Sequence, residues 1–449
     1  MILVADADTS SYDDGRVLLG GSPRRVLRLT DRGAERARAL LDGAPVVDAV
    51  DAALARRLLE VGLAHPASPA PARTAGFDIV VPAYGVQPLA SLPGAVVVDD
   101  GSPEPLAGAA IRLPVNGGPA AARNAGLAAT AAPIVAFVDS DVDVSLDTIG
   151  RLVALLDDPS VAAVAPRILP AGSRLDLGAR AGAVRPGART SYVPSTVLVV
   201  RRSALDTIGG FDEKLRVGED VDLVWRLVAA GWTVRYAPEL TAVHIEPRTR
   251  RARLDRSRRY GTAAGPLARR HPSAPLSPRA VPAAVVLLAL VGRPRLASAL
   301  LAGATIGPVR KMRAAGVPAR DSVATATTAS LAATSYAARW LTQLWSPALG
   351  VLAVRAIRRR DRAAAIALVA MLRPRLVDDI AYGAGVWTGC LRARSWRPLI
   401  PSHGRSRRPL GRALRPRPPA GSDRRRESSY AAARPHPGSA SARSLPSDR

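Results

Sequence analysis

The sequence contains very little cysteine and lysine. Its 449 residues include one cysteine, Cys390, which excludes an intrachain disulfide and a cysteine-rich zinc site and favours a reducing compartment. Lys214 and Lys311 are the two lysines, so nearly all of the basic residues are arginines. The N-terminus has no basic segment followed by an apolar run, which argues against a secretory signal and predicts a cytoplasmic protein.

The composition is that of a folded protein with an excess of positive charge. Hydrophobic residues make up 48% of the chain and charged residues 22%, and the length predicts two to four domains. The net charge of +26 favours anionic partners such as nucleotide phosphates, acidic lipid or nucleic acid. Residues 401–449 carry twelve arginines against three acids and predict a disordered, solvated tail, with membrane or nucleic-acid contact as the alternative.

Residues 1–75 predict a small α+β domain, winged-helix-like, followed by a linker at 66–75. A short apolar run ends at Thr30, and apolar residues then recur at helical spacing as far as Gly43. A second helix is expected from about Asp48 to Glu60. A structural or docking role is favoured, a peptide-binding module is an alternative, and DNA binding is weaker.

Residues 76–265 have the pattern of an α/β domain. Apolar runs at 77–84, 94–101, 110–115 and 133–141 alternate with helical spacing at 119–130 and 146–157. This alternation predicts a parallel sheet covered on both faces, whose ligands bind beyond the carboxyl ends of the strands.

Residues 266–400 predict a helical region. The apolar segments 282–292 and 296–307 are each shorter than the roughly 20 residues that a membrane-spanning helix needs. Helices packed on the catalytic domain are favoured, and an in-plane hairpin with peripheral contact at the inner face of the cell membrane remains open. Further helices are expected at 322–345 and 361–397, with four tryptophans as packing residues: Trp340, Trp345, Trp387 and Trp396.

Three acidic clusters follow or precede these elements. Asp99 and Asp100 come directly after the strand Val96–Val98, where a carboxylate can accept the imide N–H of uracil or hold ribose hydroxyls. A turn or helix cap is the alternative reading. Their position at the end of a strand favours ligand binding.

Asp139 and Asp141 form the second cluster, after another apolar strand. Alternate residues of an extended segment share a face, so both carboxylates can converge on one point. Two converging carboxylates need a positive partner. Mg²⁺ or Mn²⁺, which takes oxygen ligands from carboxylates and substrate phosphates, fits this pattern.

Glu219 and Asp220 form the third cluster, at the start of a predicted helix. Acids in a first turn favour the helix dipole and often do nothing more. Together with the upstream Asp-x-Asp pattern, they indicate a general base.

Between the first two clusters lies NGGPAAARNAG (116–126), whose small residues at Asn116 and Gly117 let the backbone approach a ligand. Arg123 can pair with a phosphate. There is no Walker A or G-x-G-x-x-G motif and no supported Ser/His/Asp arrangement, which argues against kinase-type and dinucleotide enzymes.

Six motifs in order resemble glycosyltransferase family 2, whose members have the GT-A fold: PAYG, VVVDDGS, NGGPAAARNAG, FVDSD, GGFDE and GEDVDLVWR. The resemblance covers residues 77–245 and implies an inverting, metal-dependent transfer from a UDP-sugar to an acceptor hydroxyl. The residues that it implies on the nucleotide side are Tyr84 stacking on uracil, Asp100 on the imide with Asp99 beside it, and Asn116, Gly117, Arg123 and Asp139 around the ribose and diphosphate.

The resemblance also implies the metal and acceptor sides of the site. Asp141 would ligate the metal with Asp139, and Asp220, preceded by Glu219, would deprotonate the acceptor. The residues 209–211 would line the donor-sugar pocket. His244 is a third metal ligand in this scheme, with an ordinary surface or core histidine as an equal alternative.

The wider layout resembles the glycosyltransferases of the mycofactocin system, because of the GLAHP end of the first domain and the segment 258–272. That likeness implies glucose transfer from UDP-glucose to premycofactocin, a peptide-derived cofactor precursor. The alternatives are a membrane-associated transferase for cell-envelope glycan, a nucleotidyltransferase and a basic adaptor; nucleic acid is not the favoured partner. One departure from the family is that residues 85–94 are too few for a full crossover helix.

Overall fold

The computed structural model describes residues 1–67, 73, 76–85, 92–246, 249–371 and 375–402. Nearly all of the predicted tail (401–449), most of the predicted linker and six residues of the short 85–94 connection lie outside these ranges.

The N-terminal unit contains two small sheets and two helices. Its elements are β1 (Leu3–Ala5), β2 (Ser10–Tyr12), β3 (Val17–Gly20), β4 (Arg25–Arg28), α1 (Asp31–Leu41), α2 (Ala49–Val61) and β5 (Ala64–Pro66). β2, β3 and β4 form an antiparallel meander, and β1 pairs with β5. Thr30 and Asp48 accept hydrogen bonds from Gly33 and Asp51 N–H, so both helices begin where predicted. The winged-helix likeness stays a prediction.

The central domain is built on a nine-stranded sheet. Its strands are β6 (Phe77–Ala83), β7 (Val96–Asp99), β8 (Ile111–Arg112), β9 (Ile134–Val138), β10 (Val142–Asp143), β11 (Val161–Leu169), β12 (Gly182–Ala183), β13 (Val197–Arg201) and β14 (Thr233–His244). The order is β10-β14-β11-β13-β9-β6-β7-β8, with β12 on β14. Four helices belong to this domain: α3 (Pro119–Ala128), α4 (Leu146–Ala154), α5 (Arg202–Ile208) and α6 (Glu219–Ala229).

The sheet is mixed, where the sequence predicted a parallel one. β6, β7, β8 and β9 are parallel, but β13 runs antiparallel to both β9 and β11. A buried apolar strand reads the same in either direction, so periodicity could not show this. The prediction that both faces are covered is confirmed, because consecutive residues Phe137 and Val138 of β9 belong to two different buried clusters.

The C-terminal region is helical, as expected. Its helices are α7 (Arg250–Gly261), α8 (Ala264–Arg270), α9 (Ala280–Leu290), α10 (Pro294–Ala314), α11 (Ala319–Leu344), α12 (Ser346–Arg358), α13 (Arg362–Ala370) and α14 (Leu376–Ala393), before a 3₁₀ turn at Arg397–Leu399. Among the described residues, no helix combines the length and the apolar character needed to cross a membrane.

Three of the four predicted tryptophans pack as expected. Trp340 lies in the buried cluster of the helices, and the rings of Trp345 and Trp387 meet edge to face with centroids 5.3 Å apart. Trp396 is 49% exposed, so its predicted packing role is wrong. It lies beyond the last long helix, immediately before the 3₁₀ turn.

Glycines bring α14 against α7 and α8. Ideal Cβ atoms at Gly261, Gly265, Gly385 and Gly389 would each lie within 2.2 Å of a backbone oxygen on the facing segment. Any side chain there would force the helices apart. The C-terminal helices are thereby held on the helix that follows β14.

The meander of the N-terminal unit is covered on both sides. Leu18 faces α1 and α2 and packs with Leu40 and Leu58. On the other side, Val17 and Leu19 join a buried cluster with Met312 at the end of α10 and with Val317 and Ala326 around the start of α11. The first and last thirds of the described chain therefore share a core.

Candidate active site

Three predicted site residues come together at one edge of the sheet. β6, β7 and β9 are parallel neighbours, and they end immediately before Tyr84, Asp100 and Asp139. Tyr84 is 51% exposed, so its ring is accessible to a ligand. This is the arrangement that the strand pattern predicted.

The turn after β7 uses its two aspartates differently. Asp99 is buried and accepts hydrogen bonds from the N–H groups of Ser102 and Leu106 and from Arg112. These donors outweigh the effect of burial and lower the Asp99 pKa to about 2. The carboxylate therefore accepts three hydrogen bonds within its own turn, and this geometry does not support the direct nucleotide contact expected of it.

Asp100 connects this turn to the glycine segment. Its two carboxylate oxygens accept the N–H groups of Gly117 and Gly118, at 2.7 and 2.9 Å. Asn116, which immediately precedes these glycines, accepts hydrogen bonds from Arg216 with both its side-chain and backbone oxygens. The segment is thus fixed beside the end of β7, as the nucleotide-side prediction requires.

Arg123 joins the second and third acidic clusters. Its guanidinium donates to Asp139 at 2.6 Å and to Glu219 at 2.9 Å, and its side chain is only 3% exposed. Burial would disfavour the charged guanidinium, but the two carboxylates raise its pKa. The bridge brings the end of β9 and the first turn of α6 to one place.

Phe211 and Asn124 hold Arg123 in position. The guanidinium carbon lies 5.3 Å from the centre of the Phe211 ring, and that ring packs edge to face on Phe137. Asn124 exchanges hydrogen bonds with both the N–H and the C=O of Phe211. Phe211 is 3% exposed, so its ring supports Arg123 from the core and does not line the sugar pocket that the resemblance implied.

Asp141 and His244 lie side by side. β10 pairs with the end of β14, and this pairing brings Nε2 of His244 to 3.2 Å from Oδ2 of Asp141. Burial raises the Asp141 pKa, but the hydrogen bond from His244 outweighs it and the net shift is downward. His244 is 6% exposed, and its buried Nδ1 has no hydrogen-bond partner among the described residues.

These residues fit a divalent cation that shares its coordination with substrate. Within the described ranges, no three or more His, Cys, Asp or Glu side chains are grouped to hold an ion by themselves. Mg²⁺ in phosphate sites usually takes one or two protein carboxylates and completes its shell from phosphates and water. Asp141 supplies one such carboxylate with Nε2 of His244 beside it, whereas Asp139 is paired with Arg123.

Asp220 sits in the first turn of α6. The helix begins after Gly218, whose φ of +81° and whose close approach to Ala263 both require glycine. Burial raises the Asp220 pKa to about 7, and the charge of Glu219 adds to the effect. A carboxylate with this pKa suits proton abstraction near neutral pH.

The structure adds residues that the motifs did not show. Tyr192 and Tyr260 lie near Asp220; burial raises the pKa of both phenols, and the negative charge of Asp220 adds to this. His271 donates a 2.8 Å hydrogen bond from Nε2 to the carboxylate of Asp222, two residues after Asp220. Tyr260 and His271 belong to the segment 258–272 that the layout singled out, but nothing in its sequence placed them at the site.

Comparison with known proteins agrees with this geometry. The model of the family "Glycosyl transferase family 2" matches residues 95–191. The chain is 40% identical to the pre-mycofactocin glycosyltransferase of Mycobacterium tuberculosis, over 86% of this chain and 94% of that one. The chain belongs to the mycofactocin-system glycosyltransferases of family 2.

Two further sugar transferases match with lower sequence identity. The O-antigen chain rhamnosyltransferase RfbN of Salmonella typhimurium is 26% identical over 30% of this chain and 48% of its own. A solved mannosyltransferase from Pyrobaculum calidifontis, in complex with GDP-Man and Mn²⁺, is 19% identical, covers 71% of this chain and 91% of its own, and has a TM-score of 0.37.

The fold class and the family that the motifs predicted are both confirmed. The individual site roles stay predictions, and the structure supports them unequally. It groups Asp139, Glu219 and Arg123 in one network and Asp141 with His244 in another. It commits Asp99 to the turn.

Proposed function

We propose that this glycosyltransferase transfers a sugar from a UDP-sugar to an acceptor hydroxyl in a metal-dependent reaction. The transfer inverts the configuration at the anomeric carbon of the sugar. Glucose is the proposed sugar, and the acceptor is a premycofactocin-type molecule. The observation that carries the proposal is the Asp139–Arg123–Glu219 bridge, since it brings a donor-side carboxylate next to the turn that holds Asp220. Identity to the mycobacterial enzyme over almost its whole length supports the acceptor.

On the donor side, the exposed ring of Tyr84 stacks on the uracil. Asp100 fixes the Asn116–Gly118 segment, and the remaining lone pairs of its carboxylate are available to the imide N–H. Arg123 supplies positive charge close to the diphosphate while it holds Asp139 in place. The nucleotide is therefore bound between a ring, a backbone segment and a charged network.

Asp141 and His244 would hold Mg²⁺ or Mn²⁺, with Asp139 at the margin of the same site. The ion, when bound, neutralises negative charge on the leaving diphosphate. The chain's own part is to present the Asp141 carboxylate, just before β10, beside an imidazole nitrogen at the end of β14. Diphosphate oxygens and water would complete the coordination of the ion.

On the acceptor side, Asp220 accepts the proton of the attacking hydroxyl. Its raised pKa makes it basic enough to do so, and the carboxylate of Glu219 is kept away by Arg123. The negative charge of this carboxylate acts on the phenols of Tyr192 and Tyr260, whose pKa values burial raises. Inverting transfer needs no covalent enzyme intermediate, and we assign none of these groups as a nucleophile.

The test is a reaction of the purified protein with UDP-glucose, premycofactocin and Mn²⁺, followed by mass spectrometry. We expect an acceptor heavier by one or more hexoses, together with released UDP. Asp220→Asn should still bind UDP but transfer the sugar about 10²–10⁴-fold more slowly. A full set of UDP-hexoses without any product would refute the proposed donor and acceptor.

The alternative is a cell-envelope glycan transferase, which the local match to a rhamnosyltransferase favours. It predicts transfer from a deoxysugar nucleotide to a lipid-linked acceptor, with premycofactocin left unchanged. Running both acceptors in parallel separates the two functions. The match over 86% of the chain, against 30% for the rhamnosyltransferase, supports the first.

A further inference from the structure

Five large aliphatic side chains are exposed on two consecutive C-terminal helices. Val351, Val354 and Ile357 of α12 are 70%, 51% and 74% exposed, and Ile366 and Val369 of α13 are 69% and 65% exposed. We call these five residues the α12–α13 patch. Single exposed aliphatic residues are common, but such a concentration usually marks an interaction surface.

The patch has a definite orientation. Residues three apart lie on one side of a helix, so Val351, Val354 and Ile357 form one stripe along α12. Ala356 and Ala364 are buried, which shows that both helices turn small residues inward and the patch outward. The stripe is therefore a face that the rest of the described chain leaves uncovered.

Arginines flank this face. Five lie in or beside the two helices: Arg355, Arg358, Arg359, Arg360 and Arg362. None of them forms an ion pair with another described residue. The one acid among them, Asp361, accepts a hydrogen bond from Ala364 N–H and caps α13. The surroundings of the patch are therefore strongly cationic.

The combination of apolar stripe and positive charge identifies the partner. A second copy of the chain would bring five arginines against five arginines. The C-terminal tail, with twelve arginines and three acids, has the same sign and is repelled too. Nucleic acid satisfies the arginines but offers no apolar surface to valine and isoleucine.

We propose that the α12–α13 patch docks the protein on an anionic lipid bilayer, with both helices lying in the plane of the interface. The aliphatic side chains enter the headgroup and acyl boundary, while the arginine stems extend so that their guanidinium groups reach lipid phosphates. Helices of 13 and 9 residues suit this position. The docking is independent of the proposed reaction.

A fluorescent probe at the patch tests the proposal. Cys390 is fully buried, so Val354→Cys in the full-length chain can be labelled with an environment-sensitive dye. With vesicles of phosphatidylglycerol and phosphatidylcholine, we expect a blue-shifted, brighter emission, and no change with phosphatidylcholine alone. Val323→Cys on α11 is the control, because it is 52% exposed outside the patch.

Vesicle sedimentation gives the second measurement. The double variant Val351→Asp/Ile357→Asp should weaken binding to anionic vesicles at least about tenfold, and Arg355→Gln or Arg358→Gln about fivefold each. Val323→Asp is the matched control. Unchanged UDP binding shows that these exposed substitutions leave the fold intact.

Three results would overturn the proposal. The first is a probe at residue 354 that stays in water while the chain sediments with vesicles, since binding would then come from the tail. The second is a double variant that binds like the unaltered protein. The third is a dimer in solution that the same double variant dissociates, which would make the patch an interface between copies.

Discussion

Arg123 is the side chain on which the proposed site depends most. Its two carboxylate partners come from segments far apart in the sequence, and without it Asp139 and Glu219 would repel each other. The sequence indicated Arg123 as a phosphate-binding residue. Its bridging role could not be predicted, because Glu219 is 96 residues away and only the packing of Phe211 and Asn124 brings it near.

Replacing Arg123 by lysine should damage both stability and activity. An ammonium lacks the planar fork that serves two carboxylates at once, so one of them stays buried without a partner. We expect a loss of about 3–5 kcal/mol in the free energy of unfolding, measured by denaturant titration, and a large fall in kcat/KM. Arg73→Lys, in the exposed pair with Asp157, is the control and should cost less than about 1 kcal/mol. Equal effects at the two sites would argue against the bridge.

The raised pKa of Asp220 predicts the acid limb of the pH–rate profile. A general base must be ionised, and an Asp220 pKa of about 7 means that the carboxylate takes up a proton as the pH falls below that value. A bound divalent ion favours the charged form, so the limb should lie at or below pH 7. We expect kcat/KM to fall about tenfold per pH unit on that limb.

The same profile for Asp220→Asn provides the check. Its rate should be about 10²–10⁴-fold lower and free of this acid limb. A variant that keeps the limb would assign it to another group, and a variant with full activity would exclude Asp220 as the base.

His244 should control the amount of metal that the enzyme needs. Because its Nε2 lies beside Asp141, His244→Ala removes one of the two proposed side-chain ligands. We expect the Mn²⁺ concentration at half-maximal rate to rise about 10–100-fold, with activity recovered at high metal. His65→Ala, which removes the partner of Asp6 in the N-terminal unit, should leave the metal titration unchanged.

Helices and strands differ in how well their positions could be predicted. The caps at Thr30 and Asp48 and the apolar runs before Asp99 and Asp139 carry local signals, and these elements lie where expected. The antiparallel direction of β13 and the separate helix α12 had no such signal. Strand direction and helix breaks in an alanine-rich segment depend on tertiary contacts, which periodicity does not report.

The glycine contacts of α14 predict a sharp difference between two glycine substitutions. A Cβ at Gly385 would lie 1.9 Å from the backbone oxygen of Arg258, so Gly385→Ala must displace α14 or α7. We expect a loss of about 1–3 kcal/mol in the free energy of unfolding. Gly303→Ala on α10 meets nothing within 4 Å and should stabilise the protein by up to about 1 kcal/mol. Thermal unfolding of both variants measures the difference, and a neutral Gly385→Ala would contradict the close approach.

At the scale of the described chain, the N-terminal unit and the helices α10 and α11 share a core. The N-terminal meander completes its core with residues of α10 and α11, so the unit predicted from 1–75 does not have a core of its own on both faces. No local sequence pattern indicated this contact. Val17 and Leu19 are apolar, but the sequence does not show whether α1 and α2 or a more distant segment covers them.

A double-mutant cycle tests that shared core. Leu19→Ala and Met312→Ala should each cost about 2–5 kcal/mol, and their effects should be non-additive by at least about 0.5 kcal/mol. The control pair combines Leu19→Ala with Leu290→Ala, whose side chain lies in a separate helical cluster. Additive behaviour in both pairs would show that the meander and the α10–α11 turn unfold independently.

The shared core also delays the burial of the meander during synthesis. Val17 and Leu19 leave the ribosome about 300 residues before Met312 and Val317, the residues that cover them. At a translation rate of about 5–20 residues per second, one apolar side of the meander stays exposed to solvent for roughly 15–60 s. The nascent chain therefore exposes this apolar face until α10 and the start of α11 have been synthesised.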